Sequence, residues 1–314
     1  MSKDVGTNLE RVLASGTFAT TVEVGPPRSG DPEPLRRKAA LLRGLADAYN
    51  VTDNQTAVVR MSSIAGAKVL LDEGLEPVMQ MTVRDRNRIA LQSDLLGAWA
   101  LGLRNCLCIS GDHQKAGASG KLKGHPGAKN VFDVDSIQLI TILRDLRDHG
   151  VQESGDTVDA PVRFFIGAAW TPLAPPEDFR VLRLAKKVEA GADFIQTQAV
   201  YDVPRFAAAV EQARDMGLTE RTAILGGIIV PRSAGMLRYV NANVPGVTVP
   251  EELITRMKSA RDAGPEGITV TVELIEAVRA IPGIRGVHLQ AIEAEEVLPE
   301  IIERAGLLPR PSPH

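Results

Sequence analysis

The 314-residue chain contains only two cysteines, Cys106 and Cys108. Two positions apart on one predicted strand, they are poorly placed to bridge each other, and the second pair of a structural zinc site is missing. Packing is their expected role, and a reducing cytoplasm is the simplest compartment. No stretch approaches the roughly 18 consecutive apolar residues of a membrane span. The opening Met1-Ser2-Lys3-Asp4-Val5-Gly6-Thr7 has no apolar core and does not read as a signal peptide. Dense Lys/Arg runs are also missing and the formal charge is −3, so nothing favours a nucleic-acid partner. No Gly-x-Ser-x-Gly elbow offers a serine nucleophile. Gly25-Pro26-Pro27-Arg28 stands after the first predicted strand, where an open dinucleotide-binding sheet would carry Gly-x-Gly-x-x-Gly. Asp112, His113 and His125 lack regular ligand spacing, so no metal is expected. Residues 117–124 lack the Lys-Ser/Thr pair of a phosphate loop and read as a long flap.

What is present is a strand–helix alternation. Composition is that of an ordinary globular protein, 44% hydrophobic and 24% charged. Thr7 and Glu10 form a capping-box pattern for a short first helix. Strands are predicted at 17–24, 49–54, 77–83, 105–109, 162–170, 194–200, 223–230 and 286–292. Helices fall between them. One carries Leu35, Leu41, Leu42 and Leu45 as its buried stripe, and another Ile89, Leu95, Leu96 and Trp99. A further helix opens at Pro175-Pro176-Glu177 and stops at Gly191. About eight such units make an α/β fold, a (β/α)8 TIM barrel with additional helices. It is predicted as a single catalytic domain over residues 1–308, followed by a frayed tail at 309–314.

The strands end in polar residues. Glu23 closes the first, Thr52 and Asn54 the second, and Gln80 and Thr82 the third. Asp112 follows the fourth, Gln196 and Gln198 close the sixth, and His288 and Gln290 the eighth. Period-two alternation lets each set face a common axis, where a barrel keeps its chemistry. Any one of these residues is as easily a solvated strand end; the recurrence on six strands favours a small-molecule site. In Asn105–His113, alternation puts Cys106, Cys108, Ser110 and Asp112 on one face, with the cysteines filling the interior beneath Asp112. A plain Gly-Asp turn is the competing reading. Glu23 sits among Thr, Val, Ala and Phe, company that suits a general acid near neutral pH, although an exposed strand-end Glu fits equally well.

Several of these segments together resemble the methylenetetrahydrofolate reductase family. The stretch Val22-Glu23-Val24-Gly25-Pro26-Pro27 is similar to its Phe-Glu-x-x-Pro-Pro start, and Ile109-Ser110-Gly111-Asp112 to its Leu-Arg-Gly-Asp. Lys187-Val188-Glu189-Ala190-Gly191-Ala192 with Thr197-Gln198, and Gly227-Ile228-Ile229 with Gly286-Val287-His288, follow in the family's order. The resemblance implies a flavin barrel reducing 5,10-methylenetetrahydrofolate to 5-methyltetrahydrofolate, with FAD as cofactor and FMN as the alternative. It implies Glu23 as the acid that protonates N10, Asp112 beside flavin and pterin, and Gln198 on the pterin. Thr52, Gln80, Ile109, Ser110, Gly111, Asp112, Phe132, Asp135 and Lys187 would line the flavin site. The chain departs from the family at Gln80, where the family has His, and at Ser110, where it has Arg. Pro231-Arg232-Ser233-Ala234 replaces the aromatic that stacks on the nicotinamide donor, and Ala291-Ile292-Glu293-Ala294 replaces the Asn-Arg that meets the folate tail. NAD(P)H and an electron-delivering partner protein are therefore both open as donors, as is a homo-oligomer. The alternative function is a folate- or flavin-binding subunit of an electron-transfer complex, inactive without its partner.

Overall fold

The computed structural model describes residues 4–114 and 124–311, so the predicted flap at 117–124 lies almost wholly outside the described residues. The eight strands are β1 (Ala19–Val24), β2 (Ala48–Val51), β3 (Pro77–Thr82), β4 (Asn105–Ile109), β5 (Phe165–Trp170), β6 (Phe194–Ala199), β7 (Ala223–Ile229) and β8 (Ile284–Gln290). They pair in chain order, all parallel, and β8 closes on β1. Each parallel step needs a crossover, which the helices provide. The helices are α1 (Asn8–Ala14), α2 (Glu33–Leu42), α3 (Ser63–Asp72), α4 (Arg88–Ala100), α5 (Ser136–Asp148), α6 (Arg180–Ala190), α7 (Val203–Asp215), α8 (Ala234–Asn243), α9 (Glu251–Ser259), α10 (Ala263–Arg279) and α11 (Leu298–Arg304). The (β/α)8 barrel with extra helices is as the alternation predicts. Among the described residues no helix is long and apolar enough to cross a membrane.

Local chemistry places the helix ends. Thr7 accepts from the Glu10 N–H to start α1, but the Glu10 carboxylate reaches back to the N–H groups of Val5 and Gly6 rather than to Thr7 itself. Asp135 and Gln138 form a full capping box on α5. Gly191 ends α6 at φ +117°, a conformation open to glycine and costly for other residues.

Two apolar cores flank the strands. Outward side chains such as Val22, Val51, Met79 and Ile166 pack under the helices with Leu35, Leu70, Leu95 and Leu143. Inward side chains at the lower end, Ala19, Ala48, Val78, Leu107, Phe165, Phe194 and Leu225, meet Leu9, Val12 and Leu13 of α1. Helix α1 therefore stoppers the barrel. Each of these larger side chains gains roughly 1.5–3 kcal/mol from burial. Phe165 stacks on Phe194 with ring centroids 5.2 Å apart. Gly167 makes room for them, since a Cβ there would lie 2.3 Å from the Phe194 ring.

The structure corrects three expectations. On β4 it is Leu107, and partly Ile109, that faces the barrel interior, while Cys106 and Cys108 face the helix layer. The alternation was right and the choice of face was wrong, because the larger apolar residues are needed in the plug. Leu41 is exposed, because α2 stops at Leu42 and its buried face is carried by Leu35, Ala39 and Leu42. Ile89, in the first turn of α4, is also exposed. Of the expected tail, residues 312–314 lie outside the described residues, while Arg310 pairs with the buried Asp47 at 2.5 Å and 3.1 Å and donates to the Phe18 carbonyl.

Candidate active site

At mid-height the inward positions turn polar, and their side chains bond to one another across the barrel. Asn50 Nδ2 donates to Gln196 Oε1 at 2.6 Å, and Gln196 Nε2 donates back to Asn50 Oδ1 at 3.0 Å. Gln196 Nε2 also reaches Thr21 Oγ1 at 3.0 Å, and Thr21 Oγ1 lies 3.0 Å from His288 Nδ1. The other ring nitrogen, His288 Nε2, faces Glu23 Oε2 at 3.8 Å. All but Glu23 are buried. Unpaired polar groups at this depth would each cost about 1–3 kcal/mol, so the mutual pairing is what allows them inside.

Glu23 ends this chain at the mouth, with its side chain 20% exposed. The apolar company expected for it belongs to its outward neighbours Val22 and Val24; Glu23 itself points to His288. Gln198 is half-buried on β6, where a register irregularity between Gln196 and Ala199 disturbs the pairing with β7. Such a bulge re-aims side chains at a barrel rim. Gln198 Oε1 accepts from the Ala199 N–H at 3.1 Å.

Asp112 lies past the end of β4, after Gly111 turns the chain at φ +83°. A Cβ on Gly111 would sit 3.0 Å from Thr82. The Asp112 carboxylate accepts from the Thr56 N–H at 2.6 Å, and its carbonyl accepts from Arg84 at 3.0 Å. Thr56 is itself strained: Asn54, Thr56 and Ala57 all have φ between +49° and +56°. A β-branched residue rarely tolerates that region, and such strain concentrates at functional loops. Arg84 Nη2 also holds the Asn54 carbonyl, tying the β2 loop to the β4 loop.

The remaining expected residues divide. Thr52 is buried and donates to Gln55 at 2.6 Å. Inward-facing Gln80 makes no side-chain hydrogen bond among the described residues. Ser110 donates weakly to Ser136, next to Asp135, one of whose carboxylate oxygens caps α5. Phe132 is exposed at φ +42°. The Lys187 ammonium donates to the Ala169 carbonyl near the carboxyl end of β5, within electrostatic reach of Cys108 and Asp135. Burial lowers the Lys187 pKa from its usual range and pushes the Cys108 thiol well above its own. Thr21 and Asn50 were not singled out from sequence. Stepping two residues back from Glu23 and from Thr52 reaches both.

Comparison with known proteins places the whole chain. The methylenetetrahydrofolate reductase family model matches residues 8–306. The chain belongs to that family. Methylenetetrahydrofolate reductase 1 of Schizosaccharomyces pombe is 28% identical over 245 residues, which is 76% of this chain and 37% of that protein. The probable methylenetetrahydrofolate reductase (NADPH) of Caenorhabditis elegans is 24% identical over 317 residues, covering 95% of this chain and 44% of its own. The chain thus spans less than half the length of these reductases. Among solved structures, a Clostridium thermocellum protein described as binding two copies of 5-methyl-5,6,7,8-tetrahydrofolic acid superposes with a TM-score of 0.64 at 15% identity, over 96% of this chain and 99% of its own.

A flavin's flat ring suits one side of the mouth. The Gln80 amide is free to bond a ring edge, and Ile109 offers an apolar surface. A diphosphate finds less, since Ser110 stands where the reductase family has Arg.

Proposed function

We propose that the chain reduces 5,10-methylenetetrahydrofolate to 5-methyltetrahydrofolate at the polar mouth of the barrel. Glu23 carries the reading: it is a carboxyl at the open end of a buried hydrogen-bonded chain, at the position the family motif assigns to the acid. Glu23 gives its proton to N10, which opens the five-membered ring and leaves a cationic methylene carbon on the folate. Asp112, across the mouth and fixed by the Thr56 N–H, opposes that positive charge with a carboxylate. Gln198 bonds the pterin edge. A bound FAD, or FMN as the alternative, would supply the hydride, and Thr52, Gln80, Ile109, Ser110, Gly111, Phe132 and Asp135 are the residues that would hold it. The family membership and the folate bound by the structural neighbour support the substrate class. Buried, unbridged thiols suit a reducing cytoplasm.

The test is direct. Purified protein should show a flavin absorbance spectrum, the released cofactor should be FAD, and methyltetrahydrofolate should form when NADH or NADPH is supplied without oxygen. Protein with neither flavin nor product under any donor overturns the proposal.

One observation favours a second reading. Where a donor-stacking aromatic is expected, Ser233 caps α8 and Arg232 is exposed. A folate- or flavin-binding subunit that receives electrons from a partner protein fits that exposed, non-aromatic rim. Flavin reduced by dithionite but never by NADH or NADPH, with folate reduction intact once the flavin is reduced, would select this reading.

A further inference from the structure

We infer that His288 is the positioning residue for Glu23, and that Thr21, Gln196 and Asn50 fix which of its ring nitrogens carries the proton. The inference rests on Glu23 being the acid proposed above.

Donors and acceptors run in a fixed order inward from β2. Gln196 Oε1 is taken by Asn50 Nδ2 at 2.6 Å, so the Gln196 amide group is oriented with its nitrogen toward β1. That nitrogen donates to Thr21 Oγ1. Having accepted there, the Thr21 hydroxyl has one hydrogen to give, and two acceptors compete for it. The Val287 carbonyl is 3.4 Å away and His288 Nδ1 is 3.0 Å away. Given to the nearer Nδ1, that hydrogen leaves the ring proton on Nε2, the tautomer that also turns an N–H toward the Glu23 carboxyl. Nε2 is the atom that faces Glu23 Oε2. The 3.8 Å separation is just beyond hydrogen-bond length, as catalytic contacts commonly are before substrate binds.

The consequence for the reaction is specific. When the Glu23 proton passes to N10, the carboxylate left behind faces an N–H that is already in place. The developing negative charge therefore meets a donor fixed before the reaction, and no side chain has to reorient. His288 touches neither folate nor cofactor in this scheme and neither gains nor loses a proton. Backbone register supports the assembly, since Thr21 and His288 are paired residues on β1 and β8.

Two measurements test this on the full chain. In protein labelled with 15N-histidine, the His288 signal, assigned by its loss in His288→Gln, should show a protonated Nε2 and an unprotonated Nδ1. In Thr21→Val it should become a mixture of tautomers. A proton on Nδ1 in the wild type overturns the inference, and this readout holds whether or not the enzyme turns over. In kinetics, His288→Leu should lower kcat about tenfold or more with little change in KM. His288→Gln, which keeps an N–H near Glu23, should recover most of that loss. In a Glu23→Gln background, His288→Leu should cost nothing more; additive losses would mean a merely structural role. A wild type that forms no methyltetrahydrofolate refutes the reductase reading instead, leaving the tautomer measurement to decide the positioning claim.

Discussion

The two ends of the barrel interior use the same backbone positions for opposite purposes. At the lower end, Ala19, Ala48, Val78 and Phe194 face inward and pack under α1. Two residues further along the same strands, Thr21, Asn50, Gln80 and Gln196 face inward and are polar. Nothing in strand geometry distinguishes the two levels. What differs is the partner: the lower level meets a helix that removes it from water, and the upper level meets only itself. The lower end can therefore be held by area alone, whereas the upper end depends on each donor finding its acceptor.

That contrast breaks most visibly at Glu23. Glu23→Gln should lower folate reduction about a hundred- to ten-thousand-fold, with the thermal midpoint and any flavin reduction nearly unchanged. Equal loss of both activities would remove the acid from the mechanism. At the lower end the opposite pattern is expected. Phe194→Ala empties a site filled by a stacked ring pair and should cost about 3–5 kcal/mol in denaturant unfolding, while activity per folded molecule stays close to wild type. Arg310→Ala tests the same end through charge. It strands the buried Asp47 carboxylate and should cost about 3 kcal/mol, again without a change in KM.

Lys187→Met is the smallest perturbation and the sharpest for the cofactor. The ammonium is already held by the Ala169 carbonyl, so flavin content should change little; a marked fall would place Lys187 in the flavin site. Its pH dependence has a definite sign. Burial lowers the folded-state pKa, so between that value and the unfolded one the unfolded chain binds more protons and wild-type stability rises with pH. The wild type should accordingly gain on Lys187→Met as the pH climbs into the lysine range, and lose ground as it falls.

Much of this architecture was legible in the residues. Alternating strand and helix signals led to the closed barrel, because each signal is local and the right-handed crossover leaves few arrangements. Glu23, Gln196, Gln198 and His288 were found as polar strand ends. The inward face of β4 was not, since Cys106 and Leu107 are both plausible inside and only the bulk required by the plug decides between them. Thr21 and Asn50 were missed because a Thr or Asn within a strand reads as ordinary until its partners on other strands are known. The Asp112 clamp was also invisible, because it depends on a strained backbone N–H at Thr56 that no residue type announces.

The outward turn of Cys106 and Cys108 has a practical consequence. The chain has no other thiol, both are fully buried, and burial keeps Cys108 in its unreactive protonated form. A cysteine introduced on an exposed rim position, such as Phe132 or Ile292, would thus be the only one open to maleimide. Single-site dyes could then report on events at the mouth with no native cysteine removed.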